Sequence, residues 1–206
     1  MTAFSVSRYE YCLRSSALLA LVWLTGAVAI SASGLLAGTE GPQRLLMPGL
    51  IVLPVAVFAL AWKSSTDFRS WMTGIDTGLL VILHSWRMVG LGFLFLYAHD
   101  VLPGLFAWLA GVGDMLAAFG AMLIGSALLR GRPVPRSTLL AWNSFGLLDF
   151  VIAVSVGTAL RSSYFGGAVS TDAMAQLPLS LVPTVIVPLY VITHLVIFLQ
   201  LRERKA

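Results

Sequence analysis

Five ionisable side chains stand inside strongly apolar segments of this sequence. They are His84 and Arg87 in one segment, Asp114 and Asp149 in the two that follow, and His194 in the last. A charge near the centre of a bilayer costs roughly 2.5–3.5 kcal/mol even on a lenient scale, so such a group faces the protein interior and finds a partner. These residues are therefore the first candidates for a functional site.

Arg87, Asp114 and Asp149 are predicted to form one cluster. With a helix rise of about 1.5 Å per residue, each lies near the middle of its segment. Arginine stays protonated in proteins, so Arg87 requires at least one aspartate as an ionised partner. The other aspartate is then the group that can take up and release a proton. This pattern is typical of a small carrier or ligand-binding membrane protein, whereas the alternative is a structural cluster that only holds three helices in register.

Further polar side chains are expected near this cluster, with His84 and His194 lining its cytoplasmic side. His84 lies three residues before Arg87 and therefore on the same helix face. Tyr190 stands one helical turn before His194, and Asn143 lies in the same segment as the second aspartate. With the three charged residues, these side chains make up a predicted site for a proton, an ion or a small molecule.

The two histidines also allow a different interpretation. His84 and His194 come from different helices and could supply the axial ligands of haem b, which would make this a haem-binding membrane protein. Three methionines would instead suit a soft ion such as Cu(I); they are Met88, four residues after His84, and Met115 and Met122 in the fourth segment. The sequence has no phosphate-binding glycine-lysine loop, no paired-histidine metal helix and no serine nucleophile motif, so no catalytic residue is predicted.

The composition excludes an ordinary soluble domain. Hydrophobic residues make up 58% of the 206 residues and charged residues only 11%, against about 25% charged in soluble domains. The formal net charge is +4, but the basic residues lie between apolar segments rather than in one patch, so nucleic acid is not a predicted partner. The single cysteine, Cys12, provides no disulfide framework.

Six segments approach the length of about 20 apolar residues that a spanning helix needs. They cover approximately residues 15–37, 46–62, 74–97, 103–129, 138–160 and 178–201. Continuous apolar runs predict helices, because backbone in lipid must satisfy its own hydrogen bonds. The predicted fold class is all-α: one integral membrane bundle of about six transmembrane helices over residues 1–206, located in the cell (inner) membrane.

The basic residues predict the orientation of this bundle. Ten of the thirteen Lys and Arg residues flank the segment ends on one side, and only Arg44 and Arg161 flank the other. The positive-inside rule then places the N- and C-termini in the cytoplasm. An alternative interpretation treats the first segment as a cleaved signal peptide, although its apolar run is longer than usual for one.

Small residues recur at every fourth position of the fourth segment, at Gly113, Ala117, Ala121 and Gly125. Such a flat face allows close approach of another helix, either in this chain or in a homo-oligomer or membrane partner. A third functional hypothesis follows, in which the protein is a non-catalytic membrane subunit or assembly partner and its polar residues only specify packing.

Two prolines, Pro183 and Pro188, interrupt the last segment. Proline has no backbone N–H, so each frees a carbonyl that must find another partner. Broken helices of this kind coordinate ions in many carriers, which favours the carrier interpretation.

Overall fold

The structure is a computed structural model that describes residues 3–38, 43, 45–161 and 169–203, with side chains from residue 8 onward. Within these ranges every regular element is a helix and no strand occurs, which confirms the all-α prediction. Arg44, Arg204 and Lys205, which contribute to the predicted orientation, lie outside the described residues.

Helical elements follow one another along the described chain. In chain order they are α1 (Ala3–Ala32), a 3₁₀ turn (Leu35–Ala37), α2 (Leu46–Ser64), α3 (Thr66–Thr73), α4 (Thr77–Leu83), a 3₁₀ stretch (His84–Gly90), α5 (Leu91–Ala98), α6 (Gly104–Leu129), α7 (Arg136–Ala159), a 3₁₀ turn (Asp172–Ala175), a π turn (Val182–Ile186) and α8 (Val187–Glu203).

In the part of the chain that the structure describes, six helical segments are long and apolar enough to cross a membrane. Numbered from first to sixth apolar segment, they are Arg8–Ala32, Leu46–Ser64, Thr77–Ala98, Gly104–Leu129, Arg136–Ala159 and Val182–Glu203. The number and the approximate positions of the predicted segments are therefore confirmed.

The first helix departs most from its predicted limits of 15–37. It ends at Ala32 because Gly34 takes a left-handed conformation with φ of 76°, which terminates helices and favours glycine. It begins well before the apolar run, where Arg14 and Glu10 form an ion pair one turn apart, the spacing at which opposite charges support a helix.

The chain divides into two compact units. Unit 1 comprises Met1–Ile75 and Gln176–Ile192, and unit 2 comprises Asp76–Ala175 and Thr193–Ala206. The single membrane domain over residues 1–206 stays a prediction.

Unit 1 contains α1, α2, α3 and the π turn. The short helix α3 begins where the Ser65 side chain accepts a hydrogen bond from the Phe68 N–H at 3.1 Å, the usual N-cap arrangement. Phe68 also joins an aromatic cluster, with its ring centroid 5.9 Å from that of Phe58 and 5.8 Å from that of Trp71. Apolar ring contacts of this kind fix α3 against α2.

The π turn of unit 1 shows how the proline break is accommodated. Pro188 cannot donate to the carbonyl of Thr184, four residues earlier. The Trp23 indole N–H of α1 donates to that carbonyl instead, at 2.9 Å. The predicted consequence of the prolines, a freed carbonyl that finds another donor, is confirmed at Thr184.

Unit 2 contains the third, fourth and fifth apolar segments and the end of the sixth. Asp76 directly precedes the third segment, and its side chain accepts from the Leu79 N–H at 2.9 Å and so caps α4. The segment then changes from α4 to the 3₁₀ stretch and back to α-helix at α5.

The small-residue face of α6 packs inside unit 2. Ala117 and Ala121 are fully buried, and the Trp142 indole N–H of α7 donates to the Ala117 carbonyl at 2.9 Å. A Cβ at Gly125 would lie 2.9 Å from the Ile82 nitrogen of α4, so only glycine allows this approach. The face therefore meets helices of the same chain; an additional partner chain on it stays a prediction.

Candidate functional site

The 3₁₀ stretch His84–Gly90 arranges the third apolar segment around one line of residues. A 3₁₀-helix has about three residues per turn, so residues three apart lie directly above one another. His84, Arg87 and Gly90 are all buried, whereas Trp86 and Val89 are 71% and 67% exposed. The stretch thus directs a histidine, an arginine and a glycine into unit 2.

Two glycine contacts bring the aspartates to this line. A Cβ on Gly90 would lie 2.5 Å from the Asp114 Cβ and 3.1 Å from the Gly111 carbonyl oxygen, so α6 approaches the 3₁₀ stretch where no side chain intervenes. A Cβ on Gly113 would overlap the Asp149 carboxylate, so α7 approaches α6 in the same way. Because these positions lack side chains, both carboxylates reach the centre of unit 2.

Arg87 pairs with both aspartates, which confirms the predicted ion pairing. Its Nε donates to Asp114 Oδ1 at 2.7 Å, and its Nη2 donates to Asp149 Oδ2 at 2.5 Å. The side chains of Arg87 and Asp149 are 1% and 6% exposed, and that of Asp114 is 17% exposed. Charge-assisted hydrogen bonds of this geometry are the strong ones, so the three charges form one unit.

The remaining surface of the guanidinium is also occupied. Nη1 lies 3.3 Å from the Gly146 carbonyl oxygen and 3.3 Å from His194 Nε2. The Phe150 ring covers one face, with the Arg87 Cζ 4.0 Å from the ring centroid, which is a cation–π distance. Arg87 is therefore held on its Nη side by several groups from α7 and α8.

Asn143 fixes the orientation of His194. Its Nδ2 donates to the His194 carbonyl oxygen at 3.0 Å, and its Oδ1 lies 2.7 Å from His194 Nδ1. Arginine can only donate, so His194 Nε2 accepts from Arg87 and the ring proton is on Nδ1, which donates to Asn143. The pair therefore presents a neutral imidazole to the guanidinium, and Asn143 sets its tautomer.

The His84 ring packs against this imidazole. The two ring centroids are 4.1 Å apart and the rings are tilted by 39°, while His84 Nε2 lies 2.9 Å from Thr193 Oγ1. A bis-histidine haem requires iron between two ring nitrogens. Here both His194 nitrogens contact Asn143 and Arg87, and stacked rings leave no room for a porphyrin. The residues do not fit the haem b interpretation.

The metal interpretation finds no support in the arrangement of ligands. Across residues 3–38, 43, 45–161 and 169–203, no group of three or more His, Cys, Asp and Glu side chains is placed to hold a metal ion. Of the three methionines considered for Cu(I), Met122 is 36% exposed on α6. The Cu(I) interpretation, which depends on methionine ligands, stays a prediction.

Unit 2 brings together six of the seven residues that the sequence predicted for the site. They are Arg87, Asp114, Asp149, His84, His194 and Asn143. The seventh, Tyr190, is buried and belongs to unit 1. That these residues bind a proton, an ion or a small molecule stays a prediction.

Three contributors to the cluster are not among the predicted site residues. Phe150 and Thr193 directly adjoin a predicted residue in the sequence, and Gly146 lies three residues before Asp149 on the same helix face. Helical spacing around the aspartate could have identified Gly146. No local signal marks Phe150 or Thr193, because apolar and hydroxyl side chains are common in such helices.

The fold and the cluster together are those of a polytopic helical protein with an interior charge site, consistent with a multi-pass membrane protein. The chain belongs to the family described as Domain of unknown function (DUF8737), whose family profile matches residues 45–202. The match includes every member of the charge cluster. No curated protein matches the chain, and no solved structure does.

Proposed function

We propose that the protein is a multi-pass protein of the cell (inner) membrane, with six spans and both termini in the cytoplasm. The six apolar helices and the asymmetry of the basic residues support this orientation. Reporter fusions after residue 206 and near Asp100, in the connection between α5 and α6, should report opposite sides of the membrane. Equal reporter signals from the two fusions would contradict it.

We propose further that the protein is a proton-linked carrier, with the Arg87–Asp114–Asp149 cluster as its proton site. The observation that carries this proposal is one guanidinium shared by two carboxylates in the interior of unit 2. Polar and ionisable groups within apolar spans are typical of ion paths and proton relays. A small-molecule or ion ligand belongs to the same hypothesis, and the proposed passage of protons does not require it.

The charges of the cluster explain why it would bind one proton. Arg87 stays positive, and the neutral His194 adds no charge. With both carboxylates ionised the cluster has one net negative charge, and with one proton on either carboxyl it is neutral. A single proton therefore changes the buried site between a charged and a neutral state, and burial makes that difference large.

The test is proton flux in liposomes that contain the purified protein and an internal pH dye. A membrane potential imposed with potassium and valinomycin should drive proton entry in the wild type. Asp114→Asn and Asp149→Asn, made singly, should each abolish it. Asp76→Asn is the matched control, because Asp76 is an exposed carboxylate outside the cluster and asparagine also caps helices. Wild-type liposomes no more permeable to protons than empty ones would overturn the proposal.

A second candidate is a non-catalytic membrane subunit in which the cluster is structural. The observation that favours it is the saturation of Arg87, which contacts two carboxylates, a carbonyl, an imidazole and an aromatic face. Under this hypothesis the single Asp→Asn changes lower thermal stability in detergent and wild-type liposomes show no proton flux. The same set of variants therefore separates the two functions.

A further inference from the structure

The two carboxylates meet Arg87 in different ways. Asp149 binds Nη2 on the side of the guanidinium that also holds the Gly146 carbonyl and His194. Asp114 binds Nε alone. If the hydrogen bond from Nε to Asp114 were lost, the guanidinium would therefore keep all its other hydrogen-bond partners.

The surroundings of the carboxylates differ as well. Asp149 is 6% exposed, and its Oδ1 faces the backbone of Gly113 so closely that no Cβ would fit there. Asp114 is 17% exposed, and no described residue donates a hydrogen bond to its Oδ2, which lies beside Gly90. The Asp149 carboxyl therefore lies directly against the Gly113 backbone, and the Asp114 side chain is the more exposed of the two.

Among the residues that the structure describes, the charged and titratable groups around Asp114 belong to the same cluster. Arg87 of the 3₁₀ stretch contacts it directly, and Asp149 of α7 shares that guanidinium. Behind Arg87 stand His194 of α8 and then His84, whose ring stacks on His194. Asp114 therefore lies at the edge of the cluster.

From this asymmetry we infer that Asp114 is the carboxyl that exchanges the proton and that Asp149 is the fixed counter-ion of Arg87. The inference deepens the proposed carrier function and rests on it for its biological meaning. In the protonated state Asp114 is a neutral acid, and the Arg87–Asp149 pair is internally neutral. In the deprotonated state Asp114 returns to Nε of Arg87. Only one contact changes between the two states.

The experiment uses dicyclohexylcarbodiimide, an apolar carbodiimide that adds as a whole to a protonated carboxyl and forms an acylurea without a leaving group. Purified wild-type protein in liposomes is labelled over a range of pH, digested and mapped by mass spectrometry. We expect the adduct on Asp114, decreasing as the pH rises because the reagent needs the acid form. A water-soluble carbodiimide that labels exposed Asp76 serves as the control for reagent quality.

The Asp114→Asn variant completes the test. It should lose the adduct, and no adduct should appear on Asp149, because that carboxyl is enclosed. An adduct on Asp149 in either protein, or no adduct on Asp114 at any pH, would overturn the assignment. The mapping in the wild type stands even if the variant folds poorly.

The outcomes also separate this inference from the proposed function. Labelling of Asp114 together with absent proton flux would leave the exchange site standing and remove the carrier function. Proton flux together with labelling of Asp149 would keep the carrier function and reverse the roles of the two aspartates.

Discussion

The third and sixth apolar segments both leave α-helical geometry, but only the sixth contains proline. In the sixth, the π turn Val182–Ile186 includes Pro183 and is followed by Pro188, and the Trp23 indole satisfies the freed carbonyl of Thr184. Covalent structure alone requires a break there. In the third segment, the 3₁₀ stretch His84–Gly90 has no such cause in its own sequence.

The difference between the segments indicates where tertiary contacts act on the backbone. In an α-helix of about 3.6 residues per turn, Gly90 would point away from the line of His84 and Arg87. The tighter 3₁₀ turn aligns all three, so that Arg87 reaches the carboxylates while Gly90 admits α6. A mid-helix 3₁₀ stretch is often functional, and this one coincides with the charge cluster. The break in the sixth segment is a local requirement, whereas the break in the third accompanies the alignment of His84, Arg87 and Gly90.

The largest effect on stability is expected when Arg87 loses both of its carboxylate partners. The double variant Asp114→Asn, Asp149→Asn removes both counter-ions of a charge that cannot neutralise itself. Breaking a buried pair by removing one partner costs about 3–5 kcal/mol, so thermal unfolding in detergent should occur at a much lower temperature. The matched control is Asp67→Asn, Asp76→Asn, which removes two exposed carboxylates. Equal melting temperatures for the two double variants would show that Arg87 does not depend on its partners.

Arg87→Leu should be tolerated better than that double variant. Without Arg87, each aspartate can become neutral by taking up a proton, whereas the arginine cannot lose its own. The same thermal unfolding assay compares the two proteins. A lower melting temperature for Arg87→Leu would mean that the cation–π and carbonyl contacts of Arg87 outweigh its charge pairing.

A smaller effect is expected at the crossing of the third segment with α6. Gly90→Ala places a methyl group 2.5 Å from the Asp114 Cβ, and overpacking of this kind costs roughly 1–3 kcal/mol. Gly92→Ala is the matched control, because nothing lies within 4 Å of a Cβ at Gly92. Unfolding of both variants is compared with wild type in one detergent. Similar stability of the two would place the close approach elsewhere.

In the sixth segment the expected effect is smaller again. Trp23→Phe removes the donor to the Thr184 carbonyl, and a typical hydrogen bond contributes about 0.5–1.5 kcal/mol. Pro188→Ala restores a backbone N–H that can serve the same carbonyl, so the cost of Trp23→Phe should fall in the Pro188→Ala background. A double-mutant cycle measures this coupling. Strictly additive costs would contradict the role assigned to Trp23.

The smallest effect is expected for the exposed ion pair of unit 1. Arg8 Nη1 lies 3.0 Å from Asp67 Oδ1, and the two side chains are 52% and 46% exposed. Exposed pairs contribute at most about 1 kcal/mol, so Arg8→Ala should barely change the melting temperature. Its effect calibrates the contrast with Arg87, since both are arginine–aspartate pairs. A loss as large as that of the buried pair would break the comparison.

Several features of the protein follow from the sequence by itself. Apolar length is a local property, so the six segments could be predicted from the sequence. The majority of the predicted ends lie within a few residues of the ends in the structure. The need of Arg87 for a carboxylate follows from its permanent charge, and the need of Thr184 for a new donor follows from Pro188. Each of these conclusions requires one segment and one physical rule.

Other features were decided only by the tertiary structure. Arg87 meets Asp114, Asp149 and His194 across separations of 27, 62 and 107 residues, and no local pattern states which of these side chains come into contact. The sequence allowed His84 and His194 to bind haem, but the stacking of their rings and the bonds of Asn143 exclude it. Local sequence preferences likewise do not predict the 3₁₀ stretch. Close approach at Gly90 and Gly111 favours this conformation only once α6 is in place.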